Sequence, residues 1–557
     1  MADNVKISIL GGLDEEGKNL NVVEINNDIF VVQCGVMIPD KTLPGIDYVI
    51  PRIDYLIENK ERIKAYFLLH GHDDEVGALA YIYDQVPAPI YGSKATLTML
   101  KIFTKHVKKD PSMYKFVEVQ PSSTFTVAER KISYFHTAHN IVDSSGIAIQ
   151  TSLGNIVFTG DFVVENSANP SYLHDIAMIS RIAEEPTLAL LSDSTYAGRS
   201  GYTAPLYKLT SKIEHVFKNS EGRIFVAVKS SNLYNIEEVI ELTKKYRKKI
   251  LWYDAATATT IDAMQQIGHL QIPRDNYAPI GDIVRLRNQD IVVLVTGFGS
   301  NLYRKIALLA SGNNDDKRIS LIPEDTFIIA APSSDLTEVE YTDAADELYR
   351  CGCEVLNISK KEFLRMHASE EDLKTLACLF KPKYYIPIKG FYKELLDNAM
   401  LALSMGLNLS HSNVFVAENG DTISLTENGG VLEKEKVIHG DLMIDGGDYS
   451  DISEQVIKER NELEDGVIIL AMQISRVQHK IIAGPDVQIR GFLYSREADM
   501  VIRETSKSFV TIVEQFLENE GPYNLEEIQQ NVSVATLKVI RKLLGKEPEV
   551  IVLIDEI

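Results

Sequence analysis

Through the first 200 residues, strand-like apolar segments alternate with polar, glycine-containing loops. VKISILGG, NVVEIN and DIFVVQCG read as consecutive strands with glycine turns. AYFLLHGH is an apolar strand running into a polar loop, GALAYIYDQV a short helix after it, and APIYGS another buried strand. ERKISYFHTAHN, SGIAIQTSLGNIVFTGDF and TLALLSDSTYAG then repeat one theme, an apolar strand ending in a polar cluster. Such clusters at strand ends are where α/β and αββα folds place their chemistry.

From about residue 205 the pattern changes. LYKLTSKIEHVFKNS has helical spacing, and GRIFVAVKS, KKILWYD, QDIVVLVTGFGS and DTFIIAAPSS are apolar runs separated by helices. Apolar runs without alternation predict a parallel sheet buried on both faces, here in an inserted α/β unit spanning 205–355. KPKYYIPIKGFYKELLDNAM returns to strand, loop and helix, so 356–445 reads as a continuation of 1–204. The Gly/Asp-rich stretch MIDGGDYSDIS suggests a linker at 446–452. Beyond it, 453–557 holds strands in EDGVIILAMQISR and EVIVLIDEI and amphipathic helices in EADMVIRETSKSFVTIVEQFL and ATLKVIRKLLG, the makings of a small α+β domain for association.

Composition narrows the reading in three ways. The 557 residues suggest several domains, and 45% hydrophobic residues allow a sizeable core. No stretch approaches a membrane span, and MADNVKISILGG carries no basic-then-apolar leader, so a cytoplasmic protein is expected. Cys34, Cys351, Cys353 and Cys378 form no C-x-x-C pair, which fits a reducing compartment. The balance of 57 basic against 79 acidic residues, a net −22, argues against loose nucleic-acid binding but leaves room for a nuclease with a local basic channel.

The chemistry concentrates in FLLHGHDDEVGALAYI. His70 and His72 follow an apolar strand at a spacing that lets both rings turn to one cation, and neutral imidazoles suit zinc. Standing alone, this could be a polar loop with two surface histidines. His139 after the strand in ERKISYFHTAHN and Asp161 after the strand in IVFTGDF would complete a zinc-type shell, and Asp161 has a second oxygen with which to bridge to another ion.

At this point the chain resembles the metallo-β-lactamase superfamily and, within it, the β-CASP ribonucleases of the ribonuclease J family. The resemblance runs through ILGGLDEEGKN, GIDYVIPRIDYL, HGHDDEVGAL, HNIVDSSG, FTGDF, LLSDSTYAG, HASEEDLKTLACLFKPKYYIPIKGFY and IIAGPDVQIRGFLYSRE, nearly the whole length. It implies an αββα sandwich in two parts (1–204 and 356–445), an inserted β-CASP domain (205–355) and a C-terminal association domain (453–557). It also implies bacterial RNA maturation and decay by 5′-to-3′ exonuclease and some endonuclease action, with RNA as substrate. By the same resemblance, His70, His72, His139 and Asp161 hold one metal. Asp74, the residue after it, Asp161 and a late histidine hold a second.

The family pattern His-x-His-x-Asp-His breaks here. Glu75 replaces the last histidine, and Lys389 in PIKG replaces the late one. Glu75 could still bind a hard cation through oxygen, but a charged ammonium has no lone pair. Either Lys389 offers its charge where the second metal would sit, or the pocket has drifted and Lys389 points to solvent. At most one ion per chain, zinc or manganese, is expected. Asp74, Asp193 and His367 are the residues expected to take part in catalysis, with Asp193 in SDST orienting a histidine from behind and His367 assisting at the scissile phosphate. The substrate-contact segments implied are Asn232, Leu233 and Tyr234, where active members carry a histidine, and Phe363, Leu364, Arg365, Met366 and His367. Arg365 could fork onto a phosphate or merely pair with a surface carboxylate.

TGFGSN resembles a phosphate-cradling loop only weakly, KKYRKK reads as a solvated helix end, and His136, His174, His215, His411 and His479 read as ordinary. Three functions compete. One is a slow ribonuclease acting with an active paralogous ribonuclease J. The second is a non-catalytic RNA-binding subunit that stabilises that paralogue, as a homodimer or hetero-oligomer through the C-terminal domain. The third, hydrolysis of small molecules, is disfavoured by the β-CASP and C-terminal resemblance.

Overall fold

The computed structural model describes the chain except residues 1, 40–41, 166–169, 204–207, 335–336, 361–365, 446–447, 450–453, 464–465, 492–494, 519–523 and 545. It divides into two compact units, residues 1–38 with 47–450, and residues 39–46 with 451–557. Residues 39–46 thus group with the C-terminal unit, although the sequence pattern places them in the first.

In the larger unit, two mixed sheets face each other. One has eight strands in the order Gly429–Glu433, Thr422–Thr426, Val5–Gly11, Leu20–Ile25, Asp28–Val32, Ile63–Phe67, Ile90–Gly92 and Phe116–Glu118. The other has six, in the order Tyr384–Ile388, Thr187–Asp193, Gly154–Phe158, Ser145–Thr151, Arg130–His136 and Ser123–Val127. Ile7, Val23, Phe30 and Phe67 from the first meet Ile132, Ile147, Ile156 and Ile386 from the second in one fully buried cluster. The opposite faces are covered by helices. Lys94–His106 packs Leu100 and Phe103 toward Val22, Val31 and Tyr66. Glu370–Phe380 and Tyr392–Ser404 pack Leu376, Phe380 and Ala402 toward Val157, Leu190 and Tyr385. Four layers result, αββα, and strands buried on both faces explain why so many of them read as unbroken apolar runs.

A five-stranded sheet follows the order Lys249–Trp252, Ile291–Gly297, Ile224–Lys229, Thr326–Ile329 and Glu354–Asn357, parallel at every pairing. Separate apolar clusters cover its two faces, one centred on Val226 and Leu294 and one on Phe225 and Val293. KKYRKK spans the end of the helix Leu233–Lys245 and the start of the next strand: Lys245 is exposed and pairs with Glu214, whereas Lys248 is buried and donates to the Gln289 carbonyl.

The smaller unit is an α+β layer. Val467–Ser475 pairs antiparallel with Lys480–Arg490 and parallel with Glu549–Glu556. Its alternate residues Ile468, Leu470, Met472 and Ile474 pack with Val513 and Ile540 of the helices Ser495–Leu517 and Leu525–Leu544. Of the expected linker, Asp448–Tyr449 forms a short strand on Asp441–Asp445, and the rest lies outside the described residues. No helix among the described residues is long and apolar enough to cross a membrane.

Candidate metal centre

The sheets bring the polar clusters to one edge. Gly154–Phe158, Thr187–Asp193 and Tyr384–Ile388 run parallel with Asp193 opposite Ile388, so Asp161, Asp193 and Lys389 emerge side by side at the strands' C-terminal ends. From the facing sheet, Ile63–Phe67 delivers the His70–Glu75 loop to the same place.

That loop is tightly constrained. His72 opens the one-turn helix Asp73–Val76, and its carbonyl accepts the Glu75 N–H at 3.0 Å. Gly35 lies directly under the Asp74 carbonyl, where a Cβ would come within 1.6 Å of the oxygen. Any other residue there would displace Asp74 and Glu75.

On one side of Asp161, three imidazoles converge. His70 Nε2 lies 3.1 Å from His72 Nδ1 and 3.5 Å from Asp161 Oδ2, and His139 Nε2 is also 3.5 Å from that oxygen. Donors at the corners of a tetrahedron around a zinc-type ion are about 3.3–3.5 Å apart. All four groups offer atoms within 4.8 Å of one another. Backbone carbonyls set the ring tautomers. His139 Nδ1 donates to Met366 O at 2.6 Å and His72 Nε2 to Ser231 O at 3.3 Å, which turns the opposite, lone-pair nitrogens inward. His139 Nε2 is buried and has no hydrogen-bond partner among the described residues. Burial drives His70 and His139 well below the usual histidine range and lowers His72, so all three are neutral, as ligands must be. The residues present fit one zinc-type ion.

The other side of Asp161 differs. Lys389 Nζ lies 2.7 and 2.9 Å from the two Asp161 oxygens, 3.0 Å from Glu75 Oε1 and 3.1 Å from Asp74 Oδ2. Its side chain is 12% exposed, so the alternative in which it points to solvent does not apply. Burial alone would lower the lysine, but Asp161, Asp74 and Glu75 outweigh it and hold the ammonium charged, well above the usual range. Burial raises the Glu75 carboxyl and Lys389 pulls it back, with burial the stronger. Burial opposes ionisation of Asp161 too, but Lys389 and His367 reverse the balance and hold it well below the usual range. Asn19 Nδ2 adds donors to the Asp74 carbonyl at 3.0 Å and to Asp74 Oδ2 at 3.2 Å. The residues on this side of Asp161 do not fit a second metal, and Asp161, Asp193 and His367 form a separate cluster.

Next to the first ligand set, His367 Nδ1 donates to Asp193 Oδ2 at 2.9 Å. The other Asp193 oxygen accepts from the Thr195 N–H at 3.0 Å and hydroxyl at 2.6 Å. Burial would lower His367, but Asp193 and Asp161 raise it, favouring the imidazolium. Its ring packs edge-on to His139 at 5.1 Å and Tyr196 at 5.6 Å.

The other expected substrate-contact residues are placed as follows. Asn232 caps the helix Leu233–Lys245, accepting the Asn235 N–H at 3.0 Å, and Leu233 is wholly in the core. Tyr234 stacks edge-on against Tyr172 at 4.8 Å, and its N–H donates to Asn140 O beside His139. Met366 is buried with Ala138 and Val163. Phe363, Leu364 and Arg365 lie outside the described residues. The contributions of Asn19, Gly35 and the Ser231 and Met366 carbonyls are absent from the sequence reading. The last two are backbone groups and leave no residue signature, whereas Asn19 closes the motif ILGGLDEEGKN and was within reach.

Comparison with known proteins points to one family. Residues 221–335 match the family described as ribonuclease J, beta-CASP domain, and residues 455–557 the ribonuclease J C-terminal domain. The protein called ribonuclease J 2 in Staphylococcus epidermidis is 31% identical over 557 residues, covering 100% of this chain and 98% of that relative. Its namesake in Staphylococcus aureus is 32% identical over 555 residues, with the same coverage. A crystal structure of a protein of unknown function from Enterococcus faecalis shares the fold, with a TM-score of 0.52 at 13% identity, covering 76% of this chain and 100% of that one.

Proposed function

The chain belongs to the ribonuclease J family, and from that premise we propose that it is a weak, metal-dependent 5′-to-3′ exoribonuclease working with a fully active paralogue in the cytoplasm. Some endonuclease action, in rRNA maturation and mRNA decay, belongs to the same reading. The observation that carries it is the contrast across Asp161, with a donor cage on one side and an ammonium on the other. His70, His72, His139 and Asp161 would hold one ion, zinc or manganese. When bound, such an ion acidifies water or polarises a phosphoryl oxygen.

The remaining work falls to the chain's own residues. The His367 imidazolium, held by Asp193, offsets charge on the scissile phosphate and can give a proton to the leaving oxygen. Asp74, 31% exposed at the pocket's edge, is the carboxylate of the cluster that an attacking water can reach. Two-metal hydrolysis stabilises both the attacking and the leaving oxygen. An ammonium offsets charge without activating water, so slow turnover is expected. Strands and helices 453–557 would carry association, and 205–355 the β-CASP share of the RNA channel.

A second reading, a subunit that binds RNA and positions its active partner without cleaving, is favoured by Lys389 in the second cation's place. Turnover of 5′-monophosphate RNA decides between them. Metal-dependent cleavage by the isolated chain that disappears in His139→Ala supports the enzyme. No cleavage alone, together with stimulation of an active paralogue, supports the subunit.

A further inference from the structure

The Lys389 ammonium has three N–H bonds and faces three carboxylates, Asp161, Glu75 and Asp74, at 2.7 to 3.1 Å. Its hydrogen bonds go to Glu75 Oε1 and to both Asp161 oxygens, and Asp74 Oδ2 completes the cluster as an ion-pair partner. A divalent ion bound to those oxygens would sit about 2.0–2.2 Å from each, inside the volume Nζ fills. The two occupants exclude each other.

The backbone is shaped for this. Lys389 follows the strand Tyr384–Ile388 with φ at +61°, a left-handed conformation that turns the chain at the strand's end. Gly390 then accepts the Asp14 N–H at 3.0 Å, pinning the turn against the loop after the first strand. Asn19 adds a second donor to Asp74. A drifted pocket would leave the lysine turned to solvent, whereas its side chain is 12% exposed and its ammonium touches all three carboxylates.

From this we propose that Lys389 is a tethered replacement cation: its ammonium permanently takes the place of the second metal and holds Asp74, Glu75 and Asp161 together, so the site assembles without a second ion. The inference rests on the family reading of the site but not on whether the chain cleaves RNA. It has a further consequence, because Asp161 Oδ2 serves both sides, 2.7 Å from Lys389 Nζ and 3.5 Å from His70 Nε2 and His139 Nε2. The ammonium draws on the same lone pairs that face the first ligand set, so it weakens metal retention there. Lys389→Met, which keeps the stem and removes the charge, frees that oxygen and exposes an all-oxygen pocket suited to manganese.

The test is manganese counted per chain after equilibrium dialysis of chelator-treated full-length protein, with thermal unfolding recorded in parallel. Wild type is expected to hold no more than one equivalent and to unfold at nearly the same temperature with and without chelator treatment. Lys389→Met is expected to take up a second equivalent and, without metal, to unfold lower by on the order of 5 °C, a loss that manganese reverses. Two equivalents in wild type would overturn the proposal, as would a variant with wild-type stoichiometry and midpoint. If Lys389→Met does not fold, the wild-type count decides alone. RNA turnover measured on the same samples keeps the two readings apart, since an inactive chain with one ion sinks the enzyme and leaves the tethered cation standing.

Discussion

Two pockets share Asp161 and are built for opposite occupants. On the first side, three neutral imidazoles and one carboxylate oxygen converge, with tautomers fixed by the Ser231 and Met366 carbonyls. On the second, three carboxylates close around a lysine that is charged because they are there. Histidine neutralised by burial keeps a lone pair for a cation, whereas clustered carboxylates raise a lysine and hold it protonated. Replacing the two histidines that the family pattern expects by Glu75 and Lys389 therefore does more than delete ligands. It substitutes an internal salt bridge for a metal.

Removing the lysine should have the largest effect. Lys389→Ala leaves buried carboxylates without their counter-charge, at a cost of roughly 3–5 kcal/mol in unfolding by denaturant. Added manganese should recover part of it. Unchanged stability would mean that the second pocket does not need its cation.

Asp161→Asn attacks both pockets. It should release the first-site metal and lower any RNA hydrolysis by at least about 100-fold. Retained metal would show that the imidazoles alone suffice.

Glu75→His with Lys389→His should turn the second pocket into a copy of the first in kind. RNA turnover in manganese should rise by about 10-fold or more, while each single change does little. A double variant at the parent's rate would move the limitation to Tyr234, Met366 and Arg365.

The smallest effect calibrates burial itself. His174 lies outside both pockets, packed against Phe162 at 6.0 Å, and burial lowers it to about 4. A histidine depressed in the folded state binds its proton more readily when unfolded, so its contribution is present above pH 6.5 and is lost as the pH falls toward 4. Between pH 7 and pH 6 the loss is about 0.7 kcal/mol, and it should vanish in His174→Phe. An unchanged pH slope would show that burial depresses histidines here less than supposed.

Much of this was legible in the sequence because the motifs sit at strand ends. Apolar runs ending in HGHDDE, HTAHN, FTGDF and SDST are enough to place ligands on sheets; adjacent parallel strands bring FTGDF, SDST and PIKG to one edge, and HGHDDE arrives from the facing sheet. The substitutions at 75 and 389 were equally visible. Where Lys389 points was not, since a flexible stem says nothing of direction and the positive φ that aims it belongs to the backbone. The supports from Ser231 and Met366 were hidden for the same reason, because a carbonyl has no residue type. Asn232 and Leu233 were expected at the substrate, yet one caps a helix and the other fills the core. Resemblance over a segment does not say which side chains face outward.

The most direct test is anomalous diffraction from crystals grown with excess manganese, recorded at the manganese edge. One peak is expected, bounded by His70, His72, His139 and Asp161, with Lys389 density continuous to the three carboxylates. A second peak between Asp74, Glu75 and Asp161, with the lysine swung aside, would contradict it.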